Sequence, residues 1–236
     1  MNKTESSNHS EPIRDKDFYL EYVVFLAENT LFNVPRYYFE NFSEVFTSMY
    51  TLPHGDSLNA DGSSDEHPLV LQGVTAQEFR SLLNVMFHPK SPPQLTKEGW
   101  LGVLRLSNMW RLNDIRNFMA IRQLNHREDM SFTDKIVWGR CYKVAHWMID
   151  GYSGLIDRGD VLSLDEGVRI GVPGTLGIWR AQKVSGGGND TRATVLEIFE
   201  EEIRDVQRED AEYGSRPPSR RSNYSGWQPN FELSLN

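Results

Sequence analysis

A thiol five positions before an imidazole is the raw material of a cysteine nucleophile and its base, and the chain offers that pair in Cys141 and His146, with Tyr142 between them. On one helix, positions i and i+5 point about 140° apart. Cys141 lies in phase with Ile136 and Val137, where a free cysteine behaves as a small hydrophobe, so a core residue is expected. His54 and His67 flank an acidic loop and could share a metal with Asp56 or Asp65, yet closed-site ligands at regular spacing are missing. Asp56, Asp61, Asp65 and Glu66 lack the alternate-position spacing and closing glutamate of a calcium-binding loop. His126 and Glu128 are the first half of a zinc motif whose cysteine half is absent. Gly186-Gly187-Gly188 has neither a preceding strand nor a following lysine and reads as a linker, not a phosphate loop. Asp157 with Asp160, and Asp165 with Glu166, are carboxylate pairs that turns and a helix N-terminus explain. Nothing converges on catalysis, so the expectation is a protein that is not an enzyme, with no cofactor and no metal site.

Composition narrows the remaining classes. With 25 basic against 33 acidic residues and a formal charge of -8, the chain lacks the basic face that direct nucleic-acid binding needs. Its single cysteine cannot close an internal disulfide. No apolar run approaches the roughly 18 residues of a membrane span, and the polar N-terminus carries no apolar signal segment. An intracellular protein without a membrane anchor is expected.

The elements that must carry any binding site are clearer. TKEGWLGVLRLSNMWRLNDIRNFMAIRQL, Thr96 to Leu124, predicts two helices. Thr96 caps the first, on which Trp100, Val103, Leu104, Ser107 and Trp110 share a face, and Asn113 is placed to cap the second, with Ile115, Phe118, Met119 and Ile121 inward. Upstream, Tyr22 to Val34 predicts a hairpin turning at Glu28-Asn29, and Pro35 opens a helix striped with Tyr38, Phe39, Phe42, Val45, Phe46 and Met49. Tyr37 and Tyr50 add to that aromatic surplus, which either forms an interface or is wholly covered by neighbouring helices. A polar loop from Leu52 to His67 leads to a short strand, Pro68 to Leu71, then to a capping box at Thr75 and Glu78 that opens a helix stopping at His88-Pro89. After Leu124, Ser131 to Asp134 and Ser163 to Glu166 cap further helices, and Pro173 to Val184, with Leu176, Ile178 and Trp179, is expected to be the last packed one. Beyond SGGGN, Thr191 to Tyr213 reads as a solvated, highly charged helix with a narrow apolar stripe of Val195, Ile198, Phe199, Ile203 and Val206 that is a candidate contact for a partner. The divisions are a disordered arm at 1–17, a domain at 18–124, a helical extension at 125–184, and a linker, charged helix and disordered tail at 185–236.

The order of these pieces, and the stretches YVVFLAENTLFNVPRYYFENFSEVFTSMY, HPLVLQGVTAQEFRSLLNVMF and WLGVLRLSNMWRLNDIRNFMAIRQL, resemble the BTB/POZ family. The wording is especially close to the BTB-domain proteins numerous in mushroom-type fungi. The resemblance implies an α+β fold, a small sheet packed against paired helical hairpins with a helical extension behind. It implies a protein-protein interaction module that forms homodimers or assembles with related BTB proteins, with Tyr38, Phe42 and Phe46 as candidate interface residues on the aromatic helix. The alternative is a substrate adaptor bound to a cullin-type ubiquitin ligase scaffold. Two positions depart from the family pattern, Pro35-Arg36 after the second strand and Phe87-His88-Pro89 at the end of the second paired helix.

Overall fold

The computed structural model describes residues 12–16, 18–51, 61–88, 94–185 and 190–213. His54, Asp56, most of the KSPPQ turn, the linker glycines, most of the N-terminal arm and the tail after Tyr213 lie outside the described residues.

Alternating apolar residues build an antiparallel hairpin of β1 (Tyr22–Ala27) and β2 (Thr30–Pro35), in which Val23 faces Val34 and Phe25 faces Phe32. Glu28 turns the chain at φ 52°, and its carboxylate accepts the amide of Ala76 at 3.0 Å, so the turn also holds the start of a later helix. β3 (Leu69–Val70) lies parallel to β1 on its other side, giving the strand order β2-β1-β3.

The aromatic stripe is two helices rather than one. α1 (Arg36–Phe42) stops at Ser43, which is extended at φ -118° and ψ 120°, and α2 (Glu44–Thr51) restarts the chain. The break has a partner far along the sequence: Ser43 Oγ donates to the carbonyl of Trp110 at 2.5 Å and accepts the amide of Phe46 at 3.2 Å. The bend turns Phe39 and Phe46 into one cluster with Phe25, Phe79 and Trp110, where ring centroids lie 4.8 Å (Phe25 to Phe39), 5.0 Å (Phe39 to Phe46) and 5.4 Å (Phe46 to Trp110) apart. Tilted and edge-on contacts of this kind are the arrangements that ring quadrupoles favour.

The capping box at Thr75 and Glu78 starts α3 (Ala76–Phe87), and Thr96 caps α4 (Lys97–Met109) by accepting the amide of Gly99. The two pack as a pair, with Phe79, Leu82, Leu83 and Met86 against Trp100, Val103, Leu104 and Ser107, all buried. The second helix of the tryptophan unit differs from its predicted form. Asn113 does not cap it; the Arg116 amide bonds to the Leu112 carbonyl, so the helix begins a residue earlier, and the Asn113 amide reaches Glu44 instead at 3.5 Å. A π-helical segment, Ile115–Ala120, then runs into α5 (Ile121–Asn125), closed by the Ile121 amide on the Arg116 carbonyl. A wider turn advances each residue by a smaller angle. Phe118 is thereby turned outward while Ile115, Met119, Ala120 and Leu124 stay in the core.

The remaining helices form a second cluster behind the first. α6 (Phe132–Tyr142) and α7 (Ala145–Arg158) pair closely; α8 (Leu164–Ile170) and α9 (Val172–Ser185) follow, then α10 (Thr191–Ile198) and α11 (Glu200–Glu212). The stripe on the charged segment is covered within the chain: Val195, Phe199, Ile203 and Val206 are buried with Met148, Tyr152, Ile178 and Ala181, and Phe199 stacks on Tyr152 at 3.7 Å. The packed body therefore extends past Val184. What joins the two clusters is Arg116, 1% exposed on the π segment, whose guanidinium donates to Asn108 (2.7 Å), Asn117 (2.5 Å), the carbonyls of Tyr142 and Lys143 (2.9 Å each) and Asp210 (2.8 Å).

The described residues thus form a mixed α+β architecture, a small three-stranded sheet flanked by helices. Replacing Trp110 with Ala removes the ring on which α2, α3 and α4 converge and is expected to cost about 3–5 kcal/mol in urea unfolding. Arg116→Lys keeps the charge but loses the fork geometry that serves five acceptors, and a loss of about 2–3 kcal/mol is expected in the same assay.

Candidate interaction surface

Among the described residues, those singled out for chemistry are not brought together. Cys141 is exposed, not buried as the sequence pattern predicts. The inward face of α6 is set by Thr133, Ile136 and Gly139, and Cys141 is five residues, about 140°, from Ile136, while its in-phase neighbour Val137 is only half-buried. The imidazole of His146 is engaged with Asn125 Oδ1 at 3.1 Å, an oxygen that also accepts the indole N–H of Trp147. Burial lowers the pKa of His146, with the nearby carboxylates of Asp150 and Asp210 opposing it. His67 is a loop clip: its amide bonds to Ser64 and its carbonyl accepts the amide of Gly62 at 2.7 Å. Glu166 completes the capping box of α8 with Ser163 and holds Arg158 through two hydrogen bonds, at 2.8 and 3.1 Å. Among the described residues no group of three or more His, Cys, Asp and Glu side chains is placed to hold a metal.

The candidate interface residues on the aromatic helices divide. Phe46, 3% exposed, is a core ring against Phe25, Phe39 and Trp110. Tyr38 and Phe42 are half-buried; Tyr38 stacks on Phe42 at 6.3 Å and meets Phe87 edge-on at 4.7 Å, so much of their ring area is already covered. On the same helices Arg36 lies 4.0 Å from the ring centre of Tyr50, whose phenol is pushed up to about 12, mainly by burial, with Arg36 opposing.

Exposed apolar side chains also line α8 and α9, the second of which the sequence predicts to be the last packed helix. In α9 only one side is packed: Gly174, Ile178 and Ala181 are buried, while Val172, Leu176 and Trp179, spaced four and three apart, are each more than half exposed. Ile178 lies about 200° from Leu176 on a helix, so the two cannot share a face. α8 repeats the arrangement, with Ile170 inward and Leu164 and Val168 outward. Thr175 Oγ1 donates to the carbonyls of Gly171 and Gly167, tying the start of α9 to α8, and Gln182 donates to the carbonyls of Leu155 and Asp160, which precede α8 in the chain.

What holds α8 and α9 to the body is a half-buried polar cluster around the buried Tyr152. Arg140 donates to the Ile170 carbonyl at the end of α8 (2.5 Å), to Tyr152 Oη (2.6 Å) and to Glu202 (2.5 Å), while Tyr152 donates to the other oxygen of Glu202 at 2.8 Å. Burial, reinforced by Glu202 and opposed by Arg140, raises the pKa of the Tyr152 phenol. α9 approaches so closely that a Cβ on Gly174 would stand 2.5 Å from Ile170 and one on Gly177 2.5 Å from the Phe199 ring. The glycines thus fix the inner side of α9 and leave the opposite side outward. No signal in the sequence distinguished it, because Leu176, Ile178 and Trp179 look alike until the glycines assign the inner side.

Neither protein-family models nor curated proteins match the sequence.

The ion pair that anchors α8 is open to a pH test. Hydrogen bonds from Arg158 chiefly, and from Ser163, against a desolvation penalty, bring the Glu166 carboxyl from 4.5 down to about 2. A folded value below the unfolded one means stability that is present above about pH 4.5 and lost as pH falls through about 2. Glu166→Gln is expected to be less stable than the wild type by about 1 kcal/mol at pH 7, a partly solvated pair being worth no more, and this gap should close towards pH 2 in urea titrations.

Proposed function

We propose that this chain is a protein-interaction module of the BTB/POZ type that associates with itself, and that it works by presenting surface rather than by catalysis. The observation that carries the reading is the apolar outer side of the α8–α9 pair, where Leu164, Val168, Val172, Leu176 and Trp179 remain open to solvent. Large apolar side chains left exposed together on neighbouring helices are a common mark of an interaction surface. The succession of hairpin, broken aromatic helix, short parallel strand, capped helix and tryptophan pair supports the family assignment. Tyr38 and Phe42 supply a second, smaller surface on the opposite cluster.

A substrate adaptor for a cullin-type scaffold is the second reading. It is favoured by the tie between the clusters, since an adaptor must hold its two ends at a fixed attitude and Arg116 clamps the helical extension to the tryptophan pair. Retention of a purified cullin N-terminal domain on the immobilised intact protein supports that reading, and its absence at micromolar concentration removes it.

Self-association is read by sedimentation equilibrium of the intact protein across micromolar concentrations. The expected result is a reversible dimer whose share grows with concentration; a monomer throughout defeats the self-association reading.

A further inference from the structure

The pair α10–α11 meets the rest of the molecule as a bound helix meets its receptor. Between Asp190 and Tyr213 stand nine acidic residues against three basic ones, so -6 of the chain's formal charge of -8 lies on this one segment. Its apolar side has the spacing of a helix laid in a groove. Val195, Phe199, Ile203 and Val206, at intervals of four, four and three, are buried in one cluster with Met148 and Tyr152 of α7 and with Ile178 and Ala181 of α9. Its acidic side meets cations at the rim: Glu202 pairs with Arg140, Glu209 with Lys143, Asp210 with Arg116 and Glu212 with Arg111. We propose that the surface beneath α10–α11 is a receptor groove for an acidic amphipathic helix of a partner protein, and that the chain's own helix occupies it as an internal competitor. The proposal stands apart from self-association.

Two observations separate an exchangeable occupant from an ordinary piece of core. The first is that the groove is built without it. When Asp210 leaves, Arg116 keeps Asn108, Asn117 and the carbonyls of Tyr142 and Lys143; when Glu202 leaves, Arg140 keeps the Ile170 carbonyl and Tyr152 Oη. The walls are likewise closed on each other. A Cβ on Gly139 of α6 would stand 2.6 Å from Met148, and one on Gly151 of α7 2.6 Å from the Phe132 carbonyl oxygen. The cations are therefore aimed before α11 supplies its carboxylates, which is the preorganisation that lowers the cost of binding. The second is that the rim contacts are wet. The four carboxylate side chains are between 33% and 61% exposed, so each pair is weak and screened by salt. The apolar stripe supplies the hold, and the rim decides which helix fits. A basic helix in the same groove would set its charges against Arg111, Arg116, Arg140 and Lys143, and this repulsion is what selects an acidic one.

Hydrogen exchange of the intact protein reads the release directly. Amides of residues 191–212 are expected to exchange as a unit through an opening that leaves α6 and α7 protected. Their exchange should quicken about 3-fold or more as NaCl rises from ~0.05 to ~0.5 M. Full-length Ile203→Asp disables the internal occupant and alters nothing on the groove. In anisotropy titrations it is expected to bind a fluorescein-labelled peptide of residues 190–213 about 10-fold more tightly than the wild type does, because a site that is mostly occupied loses apparent affinity by the fraction open. The same peptide carrying Glu202→Lys, Glu209→Lys, Asp210→Lys and Glu212→Lys should not bind. Protection of α11 equal to that of α7, loss of α6–α7 protection in Ile203→Asp, no binding of the peptide by that variant, or equal binding of the two peptides overturns the proposal. A wild-type dimer that the peptide dissociates identifies the competitor as α11 of another copy and overturns the separate partner.

Discussion

A guanidinium withdrawn from water needs each of its donors met, because an unpaired buried charge costs several kcal/mol. Arg116 meets this requirement by gathering acceptors from α4, from the π segment itself, from the turn between α6 and α7, and from α11. Burial depresses its pKa, while Asp210 and Tyr213 pull the other way, and the Tyr213 ring lies 4.2 Å from the guanidinium carbon. The requirement explains several otherwise separate irregularities. The π turn releases Arg116 from the regular helical phase, Lys143 adopts a left-handed φ of 58° that exposes two successive carbonyls, and α11 brings a carboxylate across. Each would carry a cost alone, and together they satisfy one side chain. The halves of the molecule are consequently one body, held by a polar knot between two apolar clusters.

The acidic character of α11 follows from the same arrangement. Glu202 meets Arg140, Glu209 meets Lys143, Asp210 meets Arg116 and Glu212 meets Arg111, so a helix that looks solvated by its composition is held along its length by cations. Several of these pairs are solvent-exposed and individually weak. The selectivity comes from their series, in register with the buried stripe from Val195 to Val206. The sequence pattern reads as a solvated helix with a narrow apolar stripe open to a partner. Only the three-dimensional arrangement of Arg116, Arg140 and Lys143 identifies the cover as the chain's own.

That distinction marks what is legible in a single sequence. Capping boxes at Thr75, Ser131 and Ser163 appear where their residue types stand, because each is decided within four residues. The hairpin at Glu28-Asn29 and the inward side of α4 are equally local. Features decided by distant partners are not readable in this way. Ser43 breaks the aromatic helix because the carbonyl of Trp110 is there to receive its hydroxyl, and Phe46 consequently turns into the core, away from the candidate interface. Cys141 escapes burial because Ile136 and Gly139 define the inward direction of α6 against Met148. Periodicity supplies a set of angles, and packing supplies the zero from which they are measured.

The same reasoning bears on why the outer side of α8 and α9 is apolar. Core packing does not need it: α9 is already held by glycine contacts to Ile170 and Phe199, and α8 by Arg140, Arg158 and Asp134. Solubility opposes it, since a leucine and a tryptophan in water gain nothing there. A helix pair fixed by its polar ends and its inner side could carry charge outward at no loss to the fold, as α11 does. On α8 and α9 that freedom is declined at Leu164, Val168, Val172, Leu176 and Trp179, all of them exposed, and the requirements of folding do not account for their composition.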